Sequence, residues 1–195
     1  MKSLLLILIL TFSFQSLTKA DDIKDFEIEG MSVGDSALNF YSKNEIESNT
    51  RDYYKNKKFT PAQLNNFPFY KTYESVDIEF KTNDNKYIIH SLSGIIKYEN
   101  KNIKNCYEKM EKIDENLSRV LKNFKREGKA TWKHGSDPTG KSTFTDIYYE
   151  SIDGTITLTC YDFSKEAEET GSRDYLSLMI SLNEWNTFMR SNPYQ

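Results

Sequence analysis

Residues 103–124, Ile-Lys-Asn-Cys-Tyr-Glu-Lys-Met-Glu-Lys-Ile-Asp-Glu-Asn-Leu-Ser-Arg-Val-Leu-Lys-Asn-Phe, decide the reading of the fold. Apolar side chains recur at Ile103, Cys106, Tyr107, Met110, Ile113, Leu117, Val120, Leu121 and Phe124. Steps of three and four place them on one stripe of an α-helix. The opposite face is charged, with Glu108–Lys112 and Glu115–Arg119 at the supportive i,i+4 spacing. The spacing predicts a long amphipathic helix that ends before Gly128.

Working outward, the flanking segments read as strands. Val76, Ile78 and Phe80 alternate with Asp77, Glu79 and Lys81, the period of a half-buried strand. Asn83-Asp84-Asn85 is a turn, and Tyr87–Tyr98 returns with Ile88, His90, Leu92, Ile96 and Tyr98 on one face. Gly94 marks a bulge or close packing against the helix. After the helix, Thr131 and Trp132 begin a strand, and residues 144–151 and 155–163 flank the hairpin dipeptide Asp153-Gly154. In the second arm Ile156, Leu158 and Cys160 share one face, while Thr155, Thr157, Thr159 and Tyr161 share the other. Leu176, Leu178, Ile180 and Leu182 alternate with Tyr175, Ser177, Met179 and Ser181 in the cleanest strand of the chain. Asn183 is placed to cap a last helix burying Trp185, Phe188 and Met189.

Smaller elements complete the outline. A turn at 30–36 leads into a short helix capped by Asp35 or Ser36. Thr60-Pro61-Ala62-Gln63 has the form of one helical turn, with Thr60 as cap and Pro61 at its first position. Residues 164–173 read as a charged loop. The expected fold is α+β: a mostly antiparallel sheet of about five strands with one long amphipathic helix packed across it.

The first twenty residues have the form of a secretory signal peptide. Lys2 is followed by an apolar run from Leu4 to Phe14, with Thr18 and Ala20 at the −3 and −1 positions of a cut after Ala20. The remaining residues 21–195 are the size of one domain, periplasmic or secreted. Loss of Lys2 and Lys19 leaves 24 cationic against 29 acidic side chains, a formal charge of −5 instead of −3. That acidic balance argues against nucleic acid as a partner. No later apolar segment is long enough to span a membrane.

Cys106 lies on the buried stripe of the helix and Cys160 on the apolar face of a strand. In an exported chain this predicts a helix-to-sheet disulfide, contributing roughly 4 kcal/mol in the chain-entropy model. Residues 135–142, Gly-Ser-Asp-Pro-Thr-Gly-Lys-Ser, match the phosphate-loop pattern G-x-x-x-x-G-K-[ST]. That loop works only at a helix N-terminus, and the following Thr143–Tyr149 reads as a strand. A turn between strands is therefore expected there, without nucleotide. His90 falls mid-strand and His134 beside this loop; neither joins a zinc spacing or a G-x-S-x-G elbow, so no metal or cofactor is assigned.

The aromatic and lysine mixture between Tyr53 and Tyr73 is the best candidate contact surface: Tyr53, Tyr54, Lys57, Phe59, Phe67, Phe69 and Tyr70. Aromatic platforms with interspersed cations suit a protein, peptide or glycan. The same rings would equally cover one side of the core under a long loop.

Gly30-Met31-Ser32-Val33-Gly34-Asp35-Ser36, Tyr87–Gly94, Asn105-Cys106-Tyr107 and Cys160-Tyr161-Asp162 together resemble a family of small exported proteins of marine bacteria with no assigned activity. The resemblance spans the whole chain after residue 20 and implies export and a paired-cysteine domain. The Gly-Met-Ser turn is also similar to the start of small outer-membrane assembly lipoproteins and inhibitor domains. The chain departs from the lipoproteins in lacking a cysteine after the cut. The leading expectation is an exported, non-catalytic binding or accessory domain. The alternatives are an extracytoplasmic hydrolase-type enzyme with a site assembled from dispersed residues, using His90 or His134, and an envelope-assembly partner.

Overall fold

The computed structural model describes residues 22–65, 70–98 and 102–194. The signal-peptide reading of residues 1–20, and Phe67 and Phe69, lie outside the described residues. Seven strands make one antiparallel sheet: β1 (Phe59–Asn65), β2 (Ser75–Lys81), β3 (Ile89–Tyr98), β4 (Lys125–Lys133), β5 (Thr143–Glu150), β6 (Gly154–Asp162) and β7 (Asp174–Leu182). Their spatial order is β1-β2-β3-β7-β6-β5-β4. The helices are α1 (Lys43–Ser48), α2 (Ile103–Val120), α3 (Lys165–Glu169) and α4 (Asn183–Arg190).

The expected five-stranded sheet crossed by one long helix is thus overturned. The molecule is mostly sheet, and among the described residues only α2 and α4 are helices longer than six residues. At the edges, β1 is absent from the expected strands, and β4 starts at Lys125, ahead of the strand expected from Thr131 and Trp132. β1 contains the Thr60–Gln63 segment read above as a helical turn. Its Pro61 points its carbonyl to the outer edge, where it accepts the Arg51 N–H at 2.9 Å. Proline's missing donor therefore falls on the side that β2 does not use. β4 is exposed along nearly its whole length and is charged on both faces, so no apolar alternation marks its first residues. Its cations close onto α2: Arg126 forks onto Asp114 at 2.9 and 2.7 Å, and Lys129 reaches Glu111 at 3.2 Å. A register shift between Glu127 and Ala130 and the surrounding lysines blunt this edge against further pairing.

Period-two alternation divides the sheet into an aliphatic and a polar face. Val76, Ile78, Leu92, Leu176, Ile180, Ile156 and Leu158 lie on the aliphatic face and meet Cys106, Met110 and Leu117 of α2 in the main core. Tyr149 belongs to the same core, and its hydroxyl bonds Ser118 at 2.7 Å and the Asp114 carboxylate. Cys106 and Cys160 form the expected disulfide, their Cα atoms 6.0 Å apart, joining the first turns of α2 to β6. Gly94 closes tightly on the Tyr73 ring rather than on the helix; a Cβ there would fall 2.6 Å from Tyr73 Cδ1. The bulge in this pair sits instead between Glu79 and Phe80.

Local signals explain the small elements. Ser36 caps a single 3-10 turn at Ala37–Asn39, its Oγ accepting from Leu38 N–H at 3.3 Å. Ser42 and Glu45 form a capping box at α1. The expected charged loop holds the short α3. Asn183 is not the cap of α4; its amide donates to the Ile152 carbonyl at 2.6 Å, tying the helix to the β5–β6 turn.

Candidate functional site

The polar face is the side away from α2. Four strands place one aromatic row across it in direct register: Trp132 on β4, Phe144 on β5, Tyr161 on β6 and Tyr175 on β7, ending at Lys97 on β3. The Tyr161 and Tyr175 rings stack with centroids 4.2 Å apart and 22° between planes. Phe144 lies 5.8 Å from Tyr161. Trp132 is 56% exposed at the open end of the row. Such cross-strand aromatic pairs stabilise the sheet, and Phe144, Tyr161 and Tyr175 are half-buried in this strip.

Beside this strip the floor is hydroxyl and carboxyl. Asp146 accepts from Thr159 Oγ1 and Tyr148 Oη, both at 2.9 Å, and burial raises its pKa against those two bonds. On β2, burial pushes Asp77 up to about 6 and Glu79 up to about 8. Tyr54 Oη donates to Glu79 Oε1 at 2.9 Å. Gln63, cross-strand from Asp77, pulls the Asp77 shift back, as do Lys97 and Arg51.

Unspent hydrogen-bonding capacity collects on this side. Among the described residues, the buried side-chain polar atoms without a partner are Ser75 Oγ, Asp77 Oδ1, Glu79 Oε2, His90 Nδ1, Thr157 Oγ1 and Trp185 Nε1. Ser75, Asp77, Glu79 and Thr157 are on the polar face by register, His90 rests on Phe59 of that face, and Trp185 is on α4, which packs over one end of it. Among the described residues the aliphatic face has none. Buried polar atoms without partners are costly, so their concentration on one face is informative.

The candidate residues between Tyr53 and Tyr73 separate. Tyr54 and Phe59 are buried in a second small core with Trp185 and Phe188. Together with Lys57 they also line a shallow groove of about 270 Å³ bounded by Thr50, Arg51, Asp52, Thr60 and Pro61. Lys57 is exposed and paired with Asp52, and Tyr53 is 55% exposed. Tyr70 belongs to the main core instead, its hydroxyl 2.5 Å from that of Tyr41.

The phosphate-loop segment is occupied by its own anion. The Asp137 carboxylate accepts from Thr139 N–H (2.8 Å) and Oγ1 (2.7 Å), from Ser142 N–H (2.8 Å) and Oγ (2.6 Å), and from Ser164 Oγ (3.2 Å). These bonds hold its pKa far below the usual carboxylate range. Lys141 pairs with Glu166, and β5 follows rather than a helix. The donors that would cradle a phosphate are committed.

His90 is buried, and His134 is half-buried. His90 Nδ1 is 3.8 Å from Glu184, which is itself held by Lys58 at 3.2 Å and Lys81 at 2.9 Å. His134 packs at the rim of the aromatic row, 5.1 Å from the Phe163 ring and 5.7 Å from Tyr161, with Nδ1 2.8 Å from Ser136 Oγ. Burial lowers the pKa of both. Among the described residues no group of three His, Cys, Asp or Glu is arranged to hold a metal, and no helix is long and apolar enough to cross a membrane.

Sequence reading missed the polar face as a site, although its signal was present. Thr155, Thr157, Thr159 and Tyr161 on β6, and Tyr175, Ser177 and Ser181 on β7, are hydroxyl-bearing at every outward position except Met179. Two adjacent strands with that pattern are more than a solvated face requires. Comparison with known proteins found no matching family model, no matching curated protein and no matching solved structure.

Proposed function

We propose that this chain is an exported, non-catalytic binding domain that uses the polar face of its sheet, with the helix face serving as the core. The observation that carries the reading is the aromatic row from Trp132 to Tyr175, set in register beside a floor of Ser, Thr and carboxyl side chains. A flat aromatic strip with hydroxyl and carboxyl groups alongside suits an extended glycan or peptide, because rings supply stacking area and the floor supplies directional bonds. The first twenty residues and the Cys106–Cys160 bridge support an oxidising destination, periplasmic or secreted.

One geometry favours the enzymatic alternative: the 2.8 Å contact between Ser136 Oγ and His134 Nδ1, the spacing of a nucleophile and its base. Both readings are separated by probing the purified protein with an array of polysaccharides and peptides beside a broad panel of hydrolase substrates. Binding without turnover is the expected result. Turnover that disappears in His134→Ala would replace the binding reading with the enzymatic one.

A further inference from the structure

His90 breaks the alternation of its own strand. Glu79 on β2 pairs with Ser91 and Phe80 pairs with Ile89, so His90 stands between them unopposed by β2. This bulge lets Ile89 and Leu92 both keep to the aliphatic core, while the imidazole turns to the polar face and rests on Phe59 with ring centroids 5.2 Å apart. His90 is 9% exposed, and its Nδ1 is buried with no hydrogen-bond partner.

An acceptor stands 3.8 Å from that nitrogen: the carboxylate of Glu184, the second residue of α4. The gap is about 1 Å too long for a charge-assisted hydrogen bond. Two other cations hold Glu184 where it is, Lys58 at 3.2 Å and Lys81 at 2.9 Å. Both of those pairs are solvent-exposed, so loosening them costs little. A neutral imidazole can leave Nδ1 bare. An imidazolium carries N–H on both nitrogens, one of them at the atom that faces Glu184. One carboxylate thus has two alternative seats, and the proton on His90 decides between them.

We propose that His90 and Glu184 form a proton-operated latch for α4: with His90 neutral, Glu184 stays with Lys58 and Lys81, and with His90 protonated it closes on Nδ1 and shifts the first turn of the helix. Trp185, the next residue, is buried with Tyr54, Phe59 and Phe188 in the small core at that end of the polar face, so the shift reaches this core. The latch does not depend on what the polar face binds.

The charges around the ring set when it closes. Burial opposes the imidazolium most strongly, Glu184 on α4 and Asp84 in the turn before β3 favour it, and Lys81 on β2 and Lys58 before β1 oppose it. The balance holds the His90 pKa below its ordinary 6.5. Hydrogen bonds from Lys81 and Lys58 hold the Glu184 pKa below its ordinary value, so the carboxylate is still ionised in mildly acidic solution. The latch is therefore open at neutral pH and closes in acid.

The test is an NMR titration of the purified protein from about pH 8 to about pH 4, following the His90 ring Cε1–H and the Trp185 indole N–H, with His134 beside β4 as the internal reference. His90 is expected to titrate with a midpoint below 6.5, and the Trp185 signal to move at that same midpoint. Glu184→Gln should lower the His90 midpoint by about half a unit or more and abolish the linked Trp185 shift. The His134 midpoint should stay in place, which also shows the variant folded. Lys81→Met should raise the His90 midpoint, because it removes a like charge and frees Glu184 from one of its two holders. A Trp185 signal that ignores the His90 titration, a His90 midpoint unchanged or raised in Glu184→Gln, or one unchanged or lowered in Lys81→Met would each overturn the proposal. If Glu184→Gln does not fold, the wild-type Trp185 response and the Lys81→Met midpoint decide alone.

Discussion

Replacing Cys106 and Cys160 together by alanine is expected to lower the unfolding free energy by about 4 kcal/mol, with a fall in Tm of roughly 10 °C. The bridge joins residues 54 apart in sequence, and the chain it closes includes most of α2, β4 and the first arm of the β5–β6 hairpin. Without it, the unfolded chain gains the freedom of that loop, while both sulfurs leave fully buried positions on the core. Alanine is the right replacement because it adds no polar group to that core. Urea unfolding of the oxidised protein and the double variant checks the figure. A loss below about 1 kcal/mol would mean that the packing of α2 on β6, β7 and β3 is sufficient alone and the bridge is not a staple.

The second large effect is a stability that falls toward alkaline pH, traceable to Glu79. Its carboxyl is pushed from 4.5 up to about 8 by burial and by neighbouring Asp77, against the Tyr54 hydrogen bond. Below the unfolded value both states carry the proton, and folding involves no change in ionisation. Between the two values the unfolded chain loses a proton that the folded chain keeps, so stability declines as pH rises. Above the folded value both are ionised and the slope ends. A shift of this size corresponds to at most about 5 kcal/mol, and relaxation around the half-buried group will reduce it. Asp77, raised from 3.8 to about 6, adds a decline of the same sign. Asp114 works in the opposite sense. Its pKa is lowered by Arg126 and Tyr149 against the cost of its own burial, so its contribution is present above the unfolded value and lost in acid. The optimum is expected at about pH 4, where these two limbs meet near the unfolded carboxyl values. Glu79→Gln should flatten the alkaline limb and leave the acid limb in place, as read by Tm across the pH range. A variant that keeps the wild-type decline would assign it to another group.

Much of this architecture is legible in the chain because interior elements carry a period. The stripe from Cys106 to Leu117, the alternation of Val76, Ile78 and Phe80, the Asp153-Gly154 turn and the strand from Leu176 to Ile180 all report one buried face each. The edges carry no such record. Lys125–Lys133 is exposed on both faces, and Pro61 imitates a helix start while occupying the one strand edge that tolerates its missing N–H. One edge misread as a helical turn and the other read only from Thr131 left the sheet at about five strands instead of seven. The candidate site is harder for a related reason. Trp132, Phe144, Tyr161 and Tyr175 become neighbours only through the register of four strands, whereas Tyr54 and Phe59, close in sequence to other rings, are drawn under α4 into a core. Local density of aromatics reports burial as readily as contact. The hydroxyl pattern on β6 and β7 was the better signal, since it places bonding groups where solvation alone asks for none in particular.

The most direct test of the account is the affinity of the protein for the polymer recovered from the array, measured in Trp132→Ala and in the Trp132→Ala/Tyr161→Ala pair. Lys104→Ala/Glu108→Ala on the exposed side of α2 serves as the control. Stacking lost from the row predicts a drop of at least about tenfold for the pair, with the helix control unchanged and both proteins folded. Full affinity in the row variants, or a loss confined to the helix control, would contradict the assignment of binding to the polar face.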